Sequence, residues 1–304
     1  MRFSLRILLG VVVAACAACG SSAPSPSKPG GQAIIAKPTL SPGAKAIPVI
    51  ASSEVLVGSN RFLLGLLNRN GAPIGKPHTH MRIAFFDPKK SSTTPVSTIQ
   101  TRFIWGIKPA IGFYEGHASF SHAGTWQAAI TLSGGGLHET DVQNFAVSTK
   151  GTTPAVGQRV PASDSLTGSG KALAHITTDP HPDKRFYTTS IADAVRSHRP
   201  FVVVFATPKY CASQLCGPML NIAKKVSTRF PKMTFIHVEI YQLPRSGKLP
   251  AQPTSLPKSA AVREWGLQTD PWTFVVDSRG RVSAKFEGTV TPGELIHAIN
   301  QVGG

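Results

Sequence analysis

Two cysteines, Cys211 and Cys216, stand in Phe205-Ala-Thr-Pro-Lys-Tyr-Cys-Ala-Ser-Gln-Leu-Cys-Gly-Pro-Met219, directly after the apolar run 201–205 and before a helical pattern. That is a favourable place for thiol chemistry. A strand delivers the sulfurs to the carboxyl edge of a sheet, and the amino end of the next helix offers free N–H groups and a positive dipole that stabilise thiolate over thiol. The spacing is Cys-x4-Cys. In a regular helix, residues five apart lie about 7.5 Å apart along the axis and on different faces, beyond disulfide reach. A bonded pair therefore requires Cys211 to precede the helix and residues 212–215 to turn back.

The chain has 304 residues and four cysteines, the other two being Cys16 and Cys19. Residues 1–18 carry Arg2 and Arg6, then an apolar stretch over 7–15 that is too short to span a bilayer. This pattern reads as an export signal. Val13-Ala-Ala-Cys16 and Cys16-Ala-Ala-Cys19-Gly both resemble the lipobox of bacterial lipoproteins. The resemblance implies that Cys19 or Cys16 is lipidated and holds the mature chain on the extracytoplasmic face of the cell membrane. Disulfides form and persist there, so the remaining pair is oxidised unless a reductant reaches it. The formal charge of +17 points to attraction toward an anionic envelope surface. The basic residues are scattered and accompany no nucleic-acid motif, so no nucleic-acid partner is expected.

Residues 19–46 are rich in Pro, Ser and Gly and read as a disordered tether. The chain beyond residue 46 is long enough for two domains. Residues 47–150 predict short strands at 54–57, 61–67, 81–86, 101–105, 117–120, 126–132 and 143–148, separated by Gly-rich turns. The alternation Trp126, Ala128, Ile130, Leu132 buries one face, and the whole suggests an immunoglobulin-like sandwich.

Residues 151–304 read differently. Ser190-Ile-Ala-Asp193 caps a helix that ends near residue 198, and the buried strand 201–205 comes next. A helix over 217–230 carries a stripe of Met219, Ala223, Val226 and Phe230. Then come a strand at 234–241, a helix at 259–265, strands at 272–276 and 281–287, and a last helix opened by Thr291-Pro-Gly-Glu294, with Leu295, Ala298, Ile299 and Val302 facing inward. The expectation is an α/β domain with a mixed four-stranded central sheet covered by helices.

That order, with Cys216-Gly-Pro218 after its first strand and Asp270-Pro271 before its third, resembles the thioredoxin superfamily. Pro154-Ala-Val-Gly-Gln-Arg-Val-Pro-Ala162 is similar to the entry segment of its secreted, membrane-tethered members. The resemblance implies a cis proline facing the redox cysteines, a role that falls on Pro271. Three departures stand out. The family generally uses Cys-x-x-Cys, so either Cys216 is the nucleophile and Cys211 its partner, or Cys211 attacks and two residues have been inserted. The acidic residue that the family buries beneath the cysteines is Val204 here, leaving Glu239 or His237, on one face of the 234–241 strand, as the proton acceptor or as ordinary structural groups. Asp270 is placed to face the sulfurs and oppose thiolate formation.

The leading functional expectation is a membrane-anchored extracytoplasmic thiol:disulfide oxidoreductase that needs no cofactor and acts on protein thiols or disulfides through Cys211, Cys216, Pro271, Glu239 and His237. A purely structural bond would close so small a loop that it adds only about 2 kcal/mol. Copper binding or delivery through Cys211, Cys216, Met219 and His237 is the alternative implied by another branch of the superfamily. A non-catalytic binding lipoprotein is the third possibility. His78, His80, His117 and His122 are a weaker metal candidate in the sandwich.

Overall fold

The computed structural model describes residues 43–168 and 170–303. The export segment, Cys16, Cys19 and most of the expected tether lie outside the described residues. At the tether's far end, Ala46 is already packed into a hydrophobic core, so ordered chain begins before residue 47.

Eight strands form two antiparallel four-stranded sheets. One holds β1 (Ile47–Ile50), β2 (Gly58–Leu67), β6 (Ile111–Phe120) and β5 (Arg102–Ile107), in that spatial order. The other holds β4 (Ser97–Gln100), β3 (His80–Phe86), β7 (Gly124–Gly134) and β8 (Leu137–Val147). Strict alternation in β7 turns Trp126, Ala128, Ile130 and Leu132 inward, and all four are buried. They meet a cluster of Phe62, Phe85, Phe120 and Phe145 from the two sheets, packed edge to face with centroids as close as 5.2 Å. The strand expected at 54–57 is reduced to a single bridge from Leu56 to Ser148.

The rest of the chain builds one mixed sheet in the order β10-β9-β11-β12 from β9 (Phe201–Ala206), β10 (Thr234–Glu239), β11 (Trp272–Val276) and β12 (Val282–Glu287). β9 and β10 are parallel, and β11 runs antiparallel to both β9 and β12. Every residue of β9 is buried, because both faces of the sheet are covered. Val202, Val204 and Ala206 face α2 (Cys216–Ser227) and α4 (Pro292–Asn300). Phe201, Val203 and Phe205 face α1 (Ile191–Arg196) and α3 (Ala260–Glu264). Both caps read from sequence form: Ser190 Oγ accepts from Asp193 N–H, and Thr291 with Glu294 completes a reciprocal box. Phe230 and Val302 fall just past the helix ends and are only half-buried.

Among the described residues no helix is long and apolar enough to cross a membrane. The sandwich and the α/β layer touch directly. Glu54 pairs with Lys285 at 3.0 Å, Arg61 and Arg102 pair with Glu294 at 2.8 and 3.0 Å, and Glu287 accepts from Ser53 N–H at 2.7 Å.

Candidate functional site

The strand β9 ends at Ala206, and the chain reaches Cys211 through a short turn. Gln214, with φ +61°, supplies the reversal demanded by the Cys-x4-Cys spacing, and its N–H donates to Cys211 O at 3.1 Å. Cys216 then opens α2. The two cysteines are joined as a disulfide with Cα atoms 5.9 Å apart.

The two sulfurs differ in setting. Cys216 is fully buried among the side chains between the sheet and α2, whereas Cys211 is half-exposed. Leu215, at the N-cap of α2, provides no side-chain cap; instead the Cys216 N–H points at Cys211 Sγ at 3.1 Å. The sulfur thus occupies the place of a capping acceptor at the positive end of a helix, which favours its thiolate.

Asp270 acts in the opposite sense. Its Oδ1 lies 3.1 Å from Cys216 Sγ and 3.4 Å from Cys211 Sγ. Disulfide sulfurs carry no proton, so in the oxidised state only a protonated Asp270 could donate here, and after reduction a thiol could donate to the carboxylate. Burial raises the Asp270 carboxyl above its ordinary range, with Lys258 pulling the other way. Ser213 Oγ sits 3.3 Å from Cys211 Sγ and donates to Asp270 O at 3.4 Å. The Asp270–Pro271 peptide is cis, as is Lys108–Pro109, and Pro271 is buried.

The structure therefore brings Cys211, Cys216, Asp270 and Pro271 together. Among the described residues neither His237 nor Glu239 makes a hydrogen bond to a sulfur. His237 is buried, and its Nε2 lies 3.0 Å from Ala206 O; a carbonyl only accepts, so Nε2 carries the proton. Its Nδ1 then accepts from Tyr187 Oη at 2.8 Å. Both nitrogens are used, and burial pushes its pKa down to about 4, so it is neutral. Glu239 Oε2 accepts from Thr178 N–H and Oγ1 at 2.7 and 2.8 Å, and burial pushes its carboxyl up to about 7. Both line a cavity of about 460 Å³ against β10.

Met219 packs in the core beneath the sheet. The histidines of the sandwich do not converge either: His122 pairs with Asp87 at 2.8 Å and His117 with Glu115 at 3.1 Å. His78 and His80 lie beside Gly134 and Gly135 at the β7–β8 turn. Among the described residues, the group of His, Cys, Asp and Glu side chains close enough to share a metal ion is Cys211, Cys216 and Asp270.

One participant was not anticipated. Leu215 is buried and reaches out of the cysteine loop into the sandwich. A methyl group placed on Gly106 of β5 would meet Leu215 Cδ2 at 2.8 Å and Phe113 of β6 at 2.7 Å, so Leu215 lies on bare backbone. Its other methyl faces Gly288, beside Leu63 of β2. A lone leucine in a polar loop was the available signal, but nothing in the sequence names its distant partners.

No family model matches the chain, and no curated protein does. Among solved structures, a thioredoxin-family thiol:disulfide interchange protein from Chlorobium tepidum TLS is similar at 19% identity, covering 49% of this chain and 100% of that one, with a TM-score of 0.30. A protein from Bacteroides vulgatus ATCC 8482, described as a glycoside hydrolase, is similar at 11% identity over 41% of this chain and 24% of its own, with a TM-score of 0.21. Scores this low decide nothing, and the architecture rests on its own strand order.

Proposed function

We propose that the chain is a thiol:disulfide oxidoreductase of thioredoxin-like build that works outside the cytoplasm, anchored by a lipid on Cys19 or Cys16, on protein thiols or disulfides. The single observation that carries this reading is the asymmetric pair: Cys211 half-exposed at the amino end of α2, bonded to a buried Cys216. An outer sulfur at a helix end suits attack on a partner, and an inner one suits release. The order β10-β9-β11-β12, with helices on both faces and the pair after the central β9, supports a thioredoxin-like assignment. The sheet orders β1-β2-β6-β5 and β4-β3-β7-β8 match the A-B-E-D and C′-C-F-G scheme and support an immunoglobulin-like sandwich.

In the reducing direction, the Cys211 thiolate attacks one sulfur of a partner disulfide and expels the other as a thiolate, which takes up a proton. Cys216 loses its proton and attacks Cys211 Sγ, releasing the second partner sulfur. Two electrons pass to the partner and the internal disulfide is restored. Asp270 is the group within reach to take the Cys216 proton.

An insulin-reduction assay on the full chain tests this. Wild type is expected to be active and both Cys211→Ser and Cys216→Ser to fall to background, with Cys216→Ser alone trapping a mixed disulfide, at Cys211. Wild-type turnover no faster than that of the doubly substituted chain would overturn the reading.

A further inference from the structure

Asp270 is a poor neighbour for a pair of thiolates. Once the bond is reduced, two acidic thiols and a carboxyl face one another, with donor atoms that all lie within 4.8 Å. The compensating positive groups are the amino end of α2 and Lys258, whose Nζ is engaged with Leu267 O. A cation placed among the three donors would remove the repulsion altogether.

We propose that the reduced Cys211–Cys216 pair and Asp270 form a redox-gated site for a borderline divalent metal ion, Zn²⁺ above all. The inference rests on the reading that the disulfide opens in use. The donor set selects the ion. Two thiolates alone would serve Cu(I), but a carboxylate oxygen beside them is a hard donor that Zn²⁺ accepts and Cu(I) does not favour. Both nitrogens of His237 are occupied, so it does not join the sulfurs. Tetrahedral Zn–S bonds of about 2.3 Å place two sulfurs about 3.7 Å apart. Cysteines whose Cα atoms are 5.9 Å apart span that separation by side-chain rotation once the S–S bond is gone. Half-exposed Cys211 and Asp270 leave an entry path and a fourth position for water.

A dithiol reductant supplies two electrons and two protons: its own sulfurs become a disulfide, the Cys211–Cys216 bond breaks, and each cysteine gains a proton. Zn²⁺ then displaces both protons to solvent and forms two bonds to sulfur and one to a carboxylate oxygen. The metal-bound thiolates are withdrawn from exchange until a chelator or a competing oxidant frees them.

The test uses the full chain, reduced with a phosphine and desalted, with Zn²⁺ titrated against a chromophoric chelator. The reference is the Cys211→Ser/Cys216→Ser chain, which subtracts any binding at Cys16 and Cys19. Reduced wild type is expected to bind one more equivalent of Zn²⁺ than the reference, the oxidised form none more. Asp270→Asn, which keeps both sulfurs and nearly the same size, should weaken binding about tenfold or more. Co²⁺ should give a thiolate charge-transfer band that is absent from the reference, and Zn²⁺ should suppress insulin reduction until chelator is added. Equal affinity of the reduced and oxidised forms, or of Asp270→Asn and wild type, overturns the inference, as does Cu(I) uptake with Zn²⁺ excluded. A thiol count separates the two failures. Two thiols above the reference without Zn²⁺ uptake sinks the metal site alone, while no thiols above the reference sinks both readings.

Discussion

At Cys211 two influences compete on one sulfur: the Cys216 N–H at 3.1 Å favours the thiolate and Asp270 Oδ1 at 3.4 Å resists it. Asp270→Asn removes the second influence. Alkylation of reduced Cys211 by iodoacetamide near neutral pH is therefore expected to speed up severalfold in that variant, and an unchanged rate would show that the carboxyl is already neutral there. A second residue-scale test lies in the sandwich. His122 is raised by the Ala123 carbonyl and then by Asp87, and Asp87 is lowered by its hydrogen bond to His122. The sign comes from linkage. The histidine's contribution is full below roughly pH 6.5 and fades as pH rises through its higher folded value, while the aspartate's holds above roughly pH 4 and fades on acidification. The thermal midpoint should thus fall as pH rises above roughly 6.5, and His122→Asn should flatten that fall. The sequence displayed His122 plainly but not this pairing, because Asp87 lies 35 positions away and is brought close by the sheet.

Among the elements, what was legible had a local physical cause. Thr291 and Glu294 are three apart and satisfy each other's backbone, so the start of α4 needs no tertiary information. Thr291→Ala should cost about 1 kcal/mol, read from the denaturant midpoint. β7 was legible from its period of two, and β9 from its unbroken apolar run. β4 was not. Of its four residues, Ser97–Gln100, Ile99 alone packs against the core and only partly, so no hydrophobic pattern announces the strand, which pairs along the edge of β3. β1 was hidden by the Pro-rich sequence before it and is defined by its register with β2. The cysteine loop was legible in its chemistry and in its need to reverse, but not in its support. Leu215→Ala should cost about 2–5 kcal/mol and raise the rate at which a small dithiol reduces Cys211–Cys216, because the loop loses its hold on Gly106. Stability lost without any change in that rate would mean that the loop is held from its own side.

Over the whole molecule, the described residues fall within one compact unit by their contacts, although their sequence reads as two domains. The ion pairs across the boundary explain part of that union. Burial is the largest single influence and would raise Glu54 and Glu294, but Lys285 with Thr152 and Thr153, and Arg61 with Thr291, together outweigh it and hold both carboxyls below their ordinary range. Stability from these pairs is present above roughly pH 4.3 and lost as pH falls through the lower folded values. Calorimetry should show one transition near neutral pH that broadens or divides in acid, and Glu294→Gln should bring that division to higher pH. Separate transitions at neutral pH would mean that the boundary carries little coupling. The Glu54–Lys285 and Arg61–Glu294 pairs were not legible because each joins residues more than 230 positions apart.

The leucine wedged between the sulfurs in sequence and between the sheets in space gives the molecule a further property. The rear portion is no portable cassette. Cut loose from its companion, it would carry a greasy side chain into water right next to its disulfide.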